Sequence, residues 1–194
     1  MIENTKYLMN TYAPLDVDFS YGQGACLYDV NNKKYIDFTS GIGVNSLGYN
    51  NAEWKKAVIT QLNSFQHISN IFANTTTTSL AKKLTVLSGM SKVFFANSGA
   101  EANEGSFKIA RKYSFNKYGN NRNKILSLKQ SFHGRTLAAL TATGQDKFHN
   151  YFFPFPEGFD YVTANCIDDF KEKLTSDICA IIMESIQGEG GLHP

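Results

Sequence analysis

The chain has 194 residues, of which 42% are hydrophobic and 19% are charged, and its formal net charge at neutral pH is +2. This length suits one domain, or one domain with a small appendage. The charge is too small, and the lysines and arginines too scattered, to indicate a nucleic-acid-binding protein. Cys26, Cys166 and Cys179 are widely separated and form no CxxC pair, which argues against a disulfide scaffold or a zinc site. With no apolar run long enough to span a membrane and no signal segment, the sequence predicts a soluble protein of the reducing cytoplasm.

The first fifty residues predict an irregular arm followed by a small antiparallel element. Residues 1–20 show no regular pattern beyond one short helical turn. Residues 24–29 and 34–38 alternate apolar and polar side chains around two turn-forming asparagines, which predicts a β-hairpin. Residues 40–48 contain three glycines, and such a loop either serves turns or lets the backbone approach a ligand.

From residue 51 onward, predicted helices alternate with predicted strands. Amphipathic spacing indicates the helices, and short apolar runs indicate buried strands. In chain order we predict helices at 52–65 and 77–87, a strand at 93–96, a helix at 100–118, a strand at 125–128, a helical segment at 134–143, a strand at 160–163, a helix at 167–174 and a strand at 178–183. This alternation is typical of a mostly parallel α/β sheet covered by helices on both faces.

Three polar segments follow the ends of predicted strands, at residues 97–100, 131–135 and 184–189. Because ligands of parallel sheets bind at the carboxyl ends of the strands, we expect these segments to line one crevice. The predicted helix that starts near Ser98 and Gly99 offers unpaired N–H groups and the positive end of its dipole to a phosphate. The crevice therefore suits a phosphorylated, flat or anionic ligand.

Each of these candidates also has a plain structural explanation. A serine before a helix is most often only a cap, and Phe132 could be a core residue. Arg135 is well suited to bind a carboxylate through two parallel hydrogen bonds, whereas His133 could be a base or a packing residue. Glu184 and Glu189 have no ligand-spaced partners for a metal ion. The P-loop, dinucleotide-binding and serine-hydrolase motifs are absent.

Four motifs, in this order, resemble those of the class III aminotransferases, which bind pyridoxal phosphate. They are SGIGVNSLG at 40–48, NSGAEANE at 97–104, SFHGRT at 131–136 and ESIQGEGG at 184–191. The resemblance runs over essentially the whole chain and implies the fold-type I architecture of pyridoxal phosphate-dependent transferases, α/β with a mostly parallel sheet in the large domain. It assigns residues 1–50, the arm and small antiparallel hairpin, to the small domain, and residues 51–194 to the N-terminal portion of the cofactor-binding large domain.

The resemblance also implies a cofactor site. Ser98, Gly99 and Ala100 would hold the phosphate of pyridoxal phosphate. Phe132 would stack on the pyridine ring, and His133 would lie beside the cofactor.

On the substrate side, the resemblance implies that Arg135 binds a substrate carboxylate. Glu189 resembles a gate glutamate that pairs with a substrate-binding arginine from the C-terminal part of family members. Tyr12 matches a tyrosine near the substrate. Gly41 stands about where ornithine-specific relatives carry a bulky tyrosine, which leaves room for an acylated amine.

The activity implied is transamination between N-acetylornithine, or a related N-acyl diamino acid, and 2-oxoglutarate, in arginine or lysine biosynthesis, by a homodimer. Ornithine, succinyldiaminopimelate and 4-aminobutyrate are the alternative amino donors. Family members are considerably longer, and their Schiff-base lysine, the aspartate at the pyridine nitrogen and the C-terminal arginine lie beyond the residues matched here. Lys129 follows the wrong strand to replace that lysine, so we interpret it as a solvated loop residue. These residues alone are therefore expected to be inactive, and a second hypothesis is a truncated piece that only binds phosphate or a partner subunit.

Overall fold

The computed structural model describes residues 6–194, and the chain divides into two compact units, Met1–Thr78 and Ser79–Pro194. The elements are β1 Phe19–Gln23, β2 Cys26–Asp29, β3 Lys34–Ile36, α1 Ala52–Leu62, α2 Thr75–Ser88, α3 Gly99–Tyr118, β4 Lys124–Leu128, α4 Leu137–Ala142, a 3₁₀ helix Asp146–Phe148, β5 Phe159–Val162, α5 Ile167–Lys173 and β6 Ile178–Ile182. Across residues 6–194, no helix is both long and apolar enough to cross a membrane. The expected boundary at residue 50 stays a prediction.

The first unit contains a three-stranded antiparallel sheet in the order β1-β2-β3. The predicted hairpin is confirmed as β2 and β3. β1 was not predicted, because glycine and serine within FSYGQ weaken its strand signal. This segment forms a strand because it pairs with β2, and the rings of Tyr21 and Tyr28 stack across the pair with centroids 4.5 Å apart. Residues 6–18 form turns and bends without a helix, and residues 1–5 of the predicted arm lie outside the described residues.

The turn between β2 and β3 is held by a buried carboxylate. Oδ1 of Asp29 accepts hydrogen bonds from the backbone N–H groups of Asn31 (2.8 Å) and Lys33 (2.9 Å). Its other oxygen, Oδ2, accepts one from the hydroxyl of Tyr35. Asparagine and aspartate close turns in this way because their short side chains reach the backbone two residues on. This contact explains why the hairpin forms where the sequence predicts it.

The second unit contains a three-stranded parallel sheet in the order β5-β4-β6, which confirms the predicted parallel α/β arrangement. The central strand β4 alternates its side chains between two apolar clusters. Ile125 packs with Phe107 of α3 and two alanines of α4, whereas Leu126 packs with Val162 and is joined by Phe170 of α5. Helices therefore cover both faces of this sheet, as a parallel sheet requires.

The predicted strand at residues 93–96 is wrong in this structure. The segment is not paired with any strand in the part of the chain that the structure describes, and Phe94 is 66% exposed. Strand structure requires hydrogen-bonding neighbours, and the apolar run by itself does not supply them. Instead, the Phe94 ring lies against α3 at Gly105, where a Cβ would stand only 3.0 Å from the ring.

Candidate functional site

The start of α3 is closed by reciprocal hydrogen bonds. The hydroxyl oxygen of Ser98 accepts from the backbone N–H of Glu101 at 3.1 Å, and the Glu101 carboxylate accepts from the backbone N–H of Asn97 at 2.6 Å. This arrangement is a variant of the capping box, in which the glutamate accepts from the residue before the cap, and it fixes where the helix begins. A Cβ added at Gly99 would meet nothing within 4 Å, so the first turn is open on that side. The helix start can therefore present its N–H groups to an anion.

The loop at residues 131–135 packs directly against this helix start. Gly134 has φ of +130°, and a Cβ there would stand 2.7 Å from the Cβ of Ala100, so only glycine allows the approach. The side-chain amide of Asn103 donates to the backbone carbonyl of His133 at 2.6 Å. The predicted helical segment from residue 134 accordingly begins later, at Leu137, because Gly134 has a non-helical backbone.

The His133 side chain is turned into the core and is 6% exposed. Its Nε2 lies 3.1 Å from the hydroxyl oxygen of Ser127, and that hydroxyl donates to the carbonyl of Ala142 at 2.5 Å. Since the Ser127 proton is used there, Nε2 of His133 is the donor in their hydrogen bond. Burial lowers the pKa of His133, and the nearby charge of Glu184 opposes this in part. The His133 imidazole is therefore neutral and anchors the loop at 131–135 to the core through Ser127. Its predicted contact with a cofactor stays a prediction.

Phe132 joins the second segment to the third. Its backbone N–H donates to Oε2 of Glu184 at 3.1 Å, and its half-buried ring lies 5.8 Å, centroid to centroid, from the ring of Phe148. The strand ends of β4 and β6 are therefore linked through a backbone-to-carboxylate bond. The predicted stacking of Phe132 on a cofactor ring stays a prediction.

Two residues that were not predicted as part of the site hold the carboxylate of Glu189. Its Oε2 accepts from the amide Nε2 of Gln145 at 2.5 Å, and its Oε1 lies 3.2 Å from Nζ of Lys147. The hydrogen bond from Gln145, followed by Lys147 and the charge of Arg135, lowers the pKa of Glu189. No local sequence pattern indicates these contacts, because the partners are more than forty residues away along the chain.

The structure brings most of the predicted site residues together in the second unit. The three predicted segments, 97–100, 131–135 and 184–189, are joined by the contacts described above. Arg135 is exposed and lies close enough to Glu189 to influence its ionisation. Tyr12 and Gly41 belong to the first unit, where Tyr12 is exposed and Gly41 has φ of +62°.

Lys129 lies at the end of β4 and contacts acceptors on the far side of the sheet from Phe107. Its Nζ lies 3.1 Å from the hydroxyl oxygen of Thr163 and 3.8 Å from Oδ2 of Asp169, and about half of its side chain is exposed. These contacts fit the interpretation of Lys129 as a partly solvated structural residue. Within residues 6–194, no three His, Cys, Asp or Glu side chains are grouped as metal ligands.

The family described as Aminotransferase class-III matches residues 7–194. The chain belongs to the class III aminotransferases. It is 53% identical over 190 residues to the acetylornithine aminotransferase of Haemophilus ducreyi, which covers 97% of this chain and 48% of that protein. It is 40% identical over 200 residues to the succinylornithine transaminase of Photorhabdus laumondii, covering all of this chain and 50% of the relative. The chain thus spans about half the length of the curated relatives that it matches, and the predicted family is confirmed.

Solved structures of this family confirm the fold-type I architecture. An ornithine aminotransferase from Toxoplasma gondii, with partial occupancy of pyridoxal phosphate at its active site, superposes with a TM-score of 0.90 at 29% identity. The match covers 98% of this chain and 45% of that one. The prediction of pyridoxal phosphate as the cofactor is therefore confirmed for the family. The capped, sterically open start of α3 fits the phosphate of this cofactor.

Proposed function

We propose that this chain supplies the cofactor-phosphate and substrate-carboxylate groups of an aminotransferase. The reaction is amino transfer from N-acetylornithine, or a related N-acyl diamino acid, to 2-oxoglutarate. The observation that carries the proposal is the close contact of Gly134 with Ala100, because it joins the anion-binding helix start to the loop that contains Arg135. Since the chain spans about half of its relatives' length, the activity is proposed for the complete protein that carries it.

The residues of this chain bind and orient. Ser98, Gly99 and Ala100 hold the cofactor phosphate through the first turn of α3, where backbone N–H groups have no partner within the helix. Phe132 covers one face of the pyridine ring. Arg135 binds the substrate carboxylate and so places the reacting carbon. Pyridoxal phosphate, when bound, supplies the electron sink for that carbon.

The amino donor is proposed from Gly41 and from the relatives. Gly41 has no side chain, which favours a site that accommodates an acylated amine over one that closes on a free amine. Relatives named for acetylornithine and for succinylornithine both act on N-acyl donors, which supports the same class. Free ornithine, succinyldiaminopimelate and 4-aminobutyrate remain the alternatives to compare.

The working protein is proposed to be a homodimer of the cytoplasm. Residues 40–48, the glycine loop, expose large apolar side chains, with Ile42 96% exposed and Val44 also exposed. Contiguous exposed apolar groups are typical of protein interfaces. The cytoplasmic part of the proposal rests on the three cysteines, all of which are free. Sedimentation that shows a clean monomer for the complete holoenzyme would contradict the dimer.

The test begins with the mass of the protein. A mass near 21.6 kDa favours the alternative of a piece that only binds phosphate or a subunit, whereas a substantially larger mass identifies the complete protein. Turnover of N-acetylornithine, free ornithine, succinyldiaminopimelate and 4-aminobutyrate by that complete protein is then compared, with 2-oxoglutarate as the acceptor. We expect the highest kcat/KM for the N-acyl donor. An equal or higher value for any of the other three contradicts the proposed specificity.

A further inference from the structure

The glycine loop, residues 40–48, contains strained backbone. Four consecutive residues lie in the left-handed region, with φ of +49° at Ser40, +62° at Gly41, +59° at Ile42 and +81° at Gly43. Glycine adopts this conformation freely, whereas a β-branched residue such as Ile42 rarely does. Backbone of this kind persists where the surrounding structure holds it. A role of this loop in specificity rests on the proposed function, because the proposed choice of amino donor depends on Gly41.

Asp37 holds the start of the loop. It follows β3 directly, and its backbone N–H donates to the carbonyl of Ala25 at 2.9 Å, which fixes it to the turn between β1 and β2. Its Oδ1 accepts from the backbone N–H and the hydroxyl of Thr39, at 2.8 and 2.6 Å, and from the N–H of Ser40 at 3.2 Å. One carboxylate oxygen therefore accepts the first hydrogen bonds that the loop donates.

Tyr49 holds the end of the loop on the same carboxylate. Its hydroxyl donates to Oδ2 of Asp37 at 2.7 Å. Its backbone N–H donates to the carbonyl of Gly24 at 2.8 Å, and its carbonyl accepts from the N–H of Gly24 at 3.0 Å. Its ring lies against Gly22, where a Cβ would stand only 2.5 Å from the ring. The side chain that reaches Asp37 is thus itself fixed by the antiparallel sheet of the first unit.

The Asp37 carboxylate is ionised in this arrangement. Hydrogen bonds, first those from the side chains of Thr39 and Tyr49, lower the pKa of Asp37 to about 2. Hydrogen bonds to a charged acceptor are stronger than those between neutral groups. Asp37 therefore closes the loop at both ends through a negative charge that is present at neutral pH.

Asn45 connects this closure to Gly41. A Cβ at Gly41 would stand 3.1 Å from Nδ2 of Asn45, so this amide lies beside the place where Gly41 has no side chain. Asp37 raises the pKa of Tyr49, and a hydrogen bond between the side chains of Asn45 and Tyr49 opposes that rise. The backbone N–H of Asn45 also donates to the carbonyl of Ser40 at 2.8 Å. Release of Tyr49 from Asp37 would therefore move Asn45 relative to Gly41.

We propose that Asp37 and Tyr49 are positioning residues that fix the glycine loop and keep open the space beside Gly41 that an N-acyl donor needs. Neither residue has to touch the substrate for this effect. A free diamino acid has no acyl group to place in that space, so its turnover does not depend on the closure. The pair thus acts on the choice between acylated and free amino donors.

Tyr49→Phe in the complete holoenzyme tests the proposal, because it removes one hydroxyl and leaves the ring. We expect kcat/KM for N-acetylornithine to fall about three- to tenfold, the order of one net hydrogen bond, mainly through a higher KM. The value for free ornithine should stay unchanged. Asp37→Asn is the second variant, and it should lower the ratio of the two values as well, because it removes an acceptor and the charge while keeping the shape.

Tyr35→Phe and Asp29→Asn are the matched controls. Asp29 closes the turn between β2 and β3 with equivalent groups, since Oδ1 accepts from two backbone N–H groups and Oδ2 accepts from the hydroxyl of Tyr35. These substitutions remove equivalent hydrogen bonds outside the glycine loop. We therefore expect them to leave the ratio of the two kcat/KM values unchanged. An equal fall of that ratio in the control and test variants would overturn the inference.

Unreactive probes give a readout that does not depend on turnover. N-acetylnorvaline carries the acylated amine of N-acetylornithine but no second amino group, and pentanoate lacks the acylamino group as well. At equal content of cofactor-bound enzyme, measured by absorbance, Tyr49→Phe and Asp37→Asn should raise the Kd of N-acetylnorvaline and leave that of pentanoate unchanged. Unchanged binding of N-acetylnorvaline, or an equal loss of both probes, overturns the inference. A wild-type holoenzyme without a preference for N-acetylornithine over free ornithine would instead contradict the proposed function.

Discussion

Two short apolar runs in this chain, Val93–Ala96 and Ile125–Leu128, have nearly the same local character but different structures. Each is followed by a polar turn and then by a helix, and each was predicted as a buried strand. Residues 125–128 are buried in the centre of the sheet, with Leu126 fully buried. The run at 93–96 is mostly exposed and has no strand beside it among the described residues.

The difference shows that burial of a strand is decided by its neighbours. β4 has parallel partners on both sides, β5 and β6, so its backbone groups and both of its faces are satisfied. The run at 93–96 has the packing of Phe94 on α3 but no ladder of hydrogen bonds. Its apolar side chains are equally hydrophobic, yet they add little to stability where they stay in water.

Truncation of one side chain in each run tests most directly whether one run is exposed and the other buried. Leu126→Ala should lower the free energy of unfolding by about 2–5 kcal/mol, because it removes buried methyl groups from a packed cluster. Phe94→Ala should cost less than about 1 kcal/mol, because that side chain is mostly exposed. Urea unfolding of the purified chain measures both. Comparable losses would mean that residues 93–96 are buried in solution.

The same contrast explains what could be predicted of the fold. Helices α1 to α3 and α5 and strands β2 to β6 follow from local periodicity, because each is also supported by its surroundings. β1 was missed, since FSYGQ becomes a strand only by pairing with β2. The strand predicted at 93–96 was wrong for the converse reason: its apolar pattern is strong, but no described strand pairs with it.

The site was predictable to the level of segments but not of contacts. The strand-end rule predicted that residues 97–100, 131–135 and 184–189 lie together, and contacts at Gly134 and Phe132 do join these segments. The segment at 97–100 does not follow a strand in this structure, however, and a shared ligand crevice stays a prediction. The orientation of His133 into the core depends on Ser127, which sits inside a strand and carries no site signal. The hold on Glu189 depends on a 3₁₀ helix that periodicity does not reveal.

The helix that follows the exposed run provides the next, smaller test. Ser98→Ala removes the cap of α3 and should lower the free energy of unfolding by about 1 kcal/mol. Asn51→Ala is the matched control, because Asn51 caps α1 by accepting from the N–H of Trp54 at 2.9 Å. In the complete holoenzyme, only Ser98→Ala should also weaken pyridoxal phosphate binding, measured by cofactor absorbance. Equal cofactor affinity in the two variants would leave Ser98 as a cap alone.

The smallest expected effect is a pH dependence of hydrogen-exchange protection in β4, at residues 125–128. Burial holds the pKa of His133 below its ordinary value of 6.5, so the unfolded chain binds a proton before the folded chain does. The stability that this provides is complete above pH 6.5 and is lost as the pH falls towards the lower pKa of the folded state. Hydrogen exchange, corrected for intrinsic rates, should therefore show weaker protection of amides 125–128 at about pH 5 than at about pH 7.5, with residues 93–96 unchanged. His133→Gln keeps a donor for Ser127 but cannot titrate, so it should abolish the difference. A pH effect of equal size in that variant would show that another group near β4 is responsible.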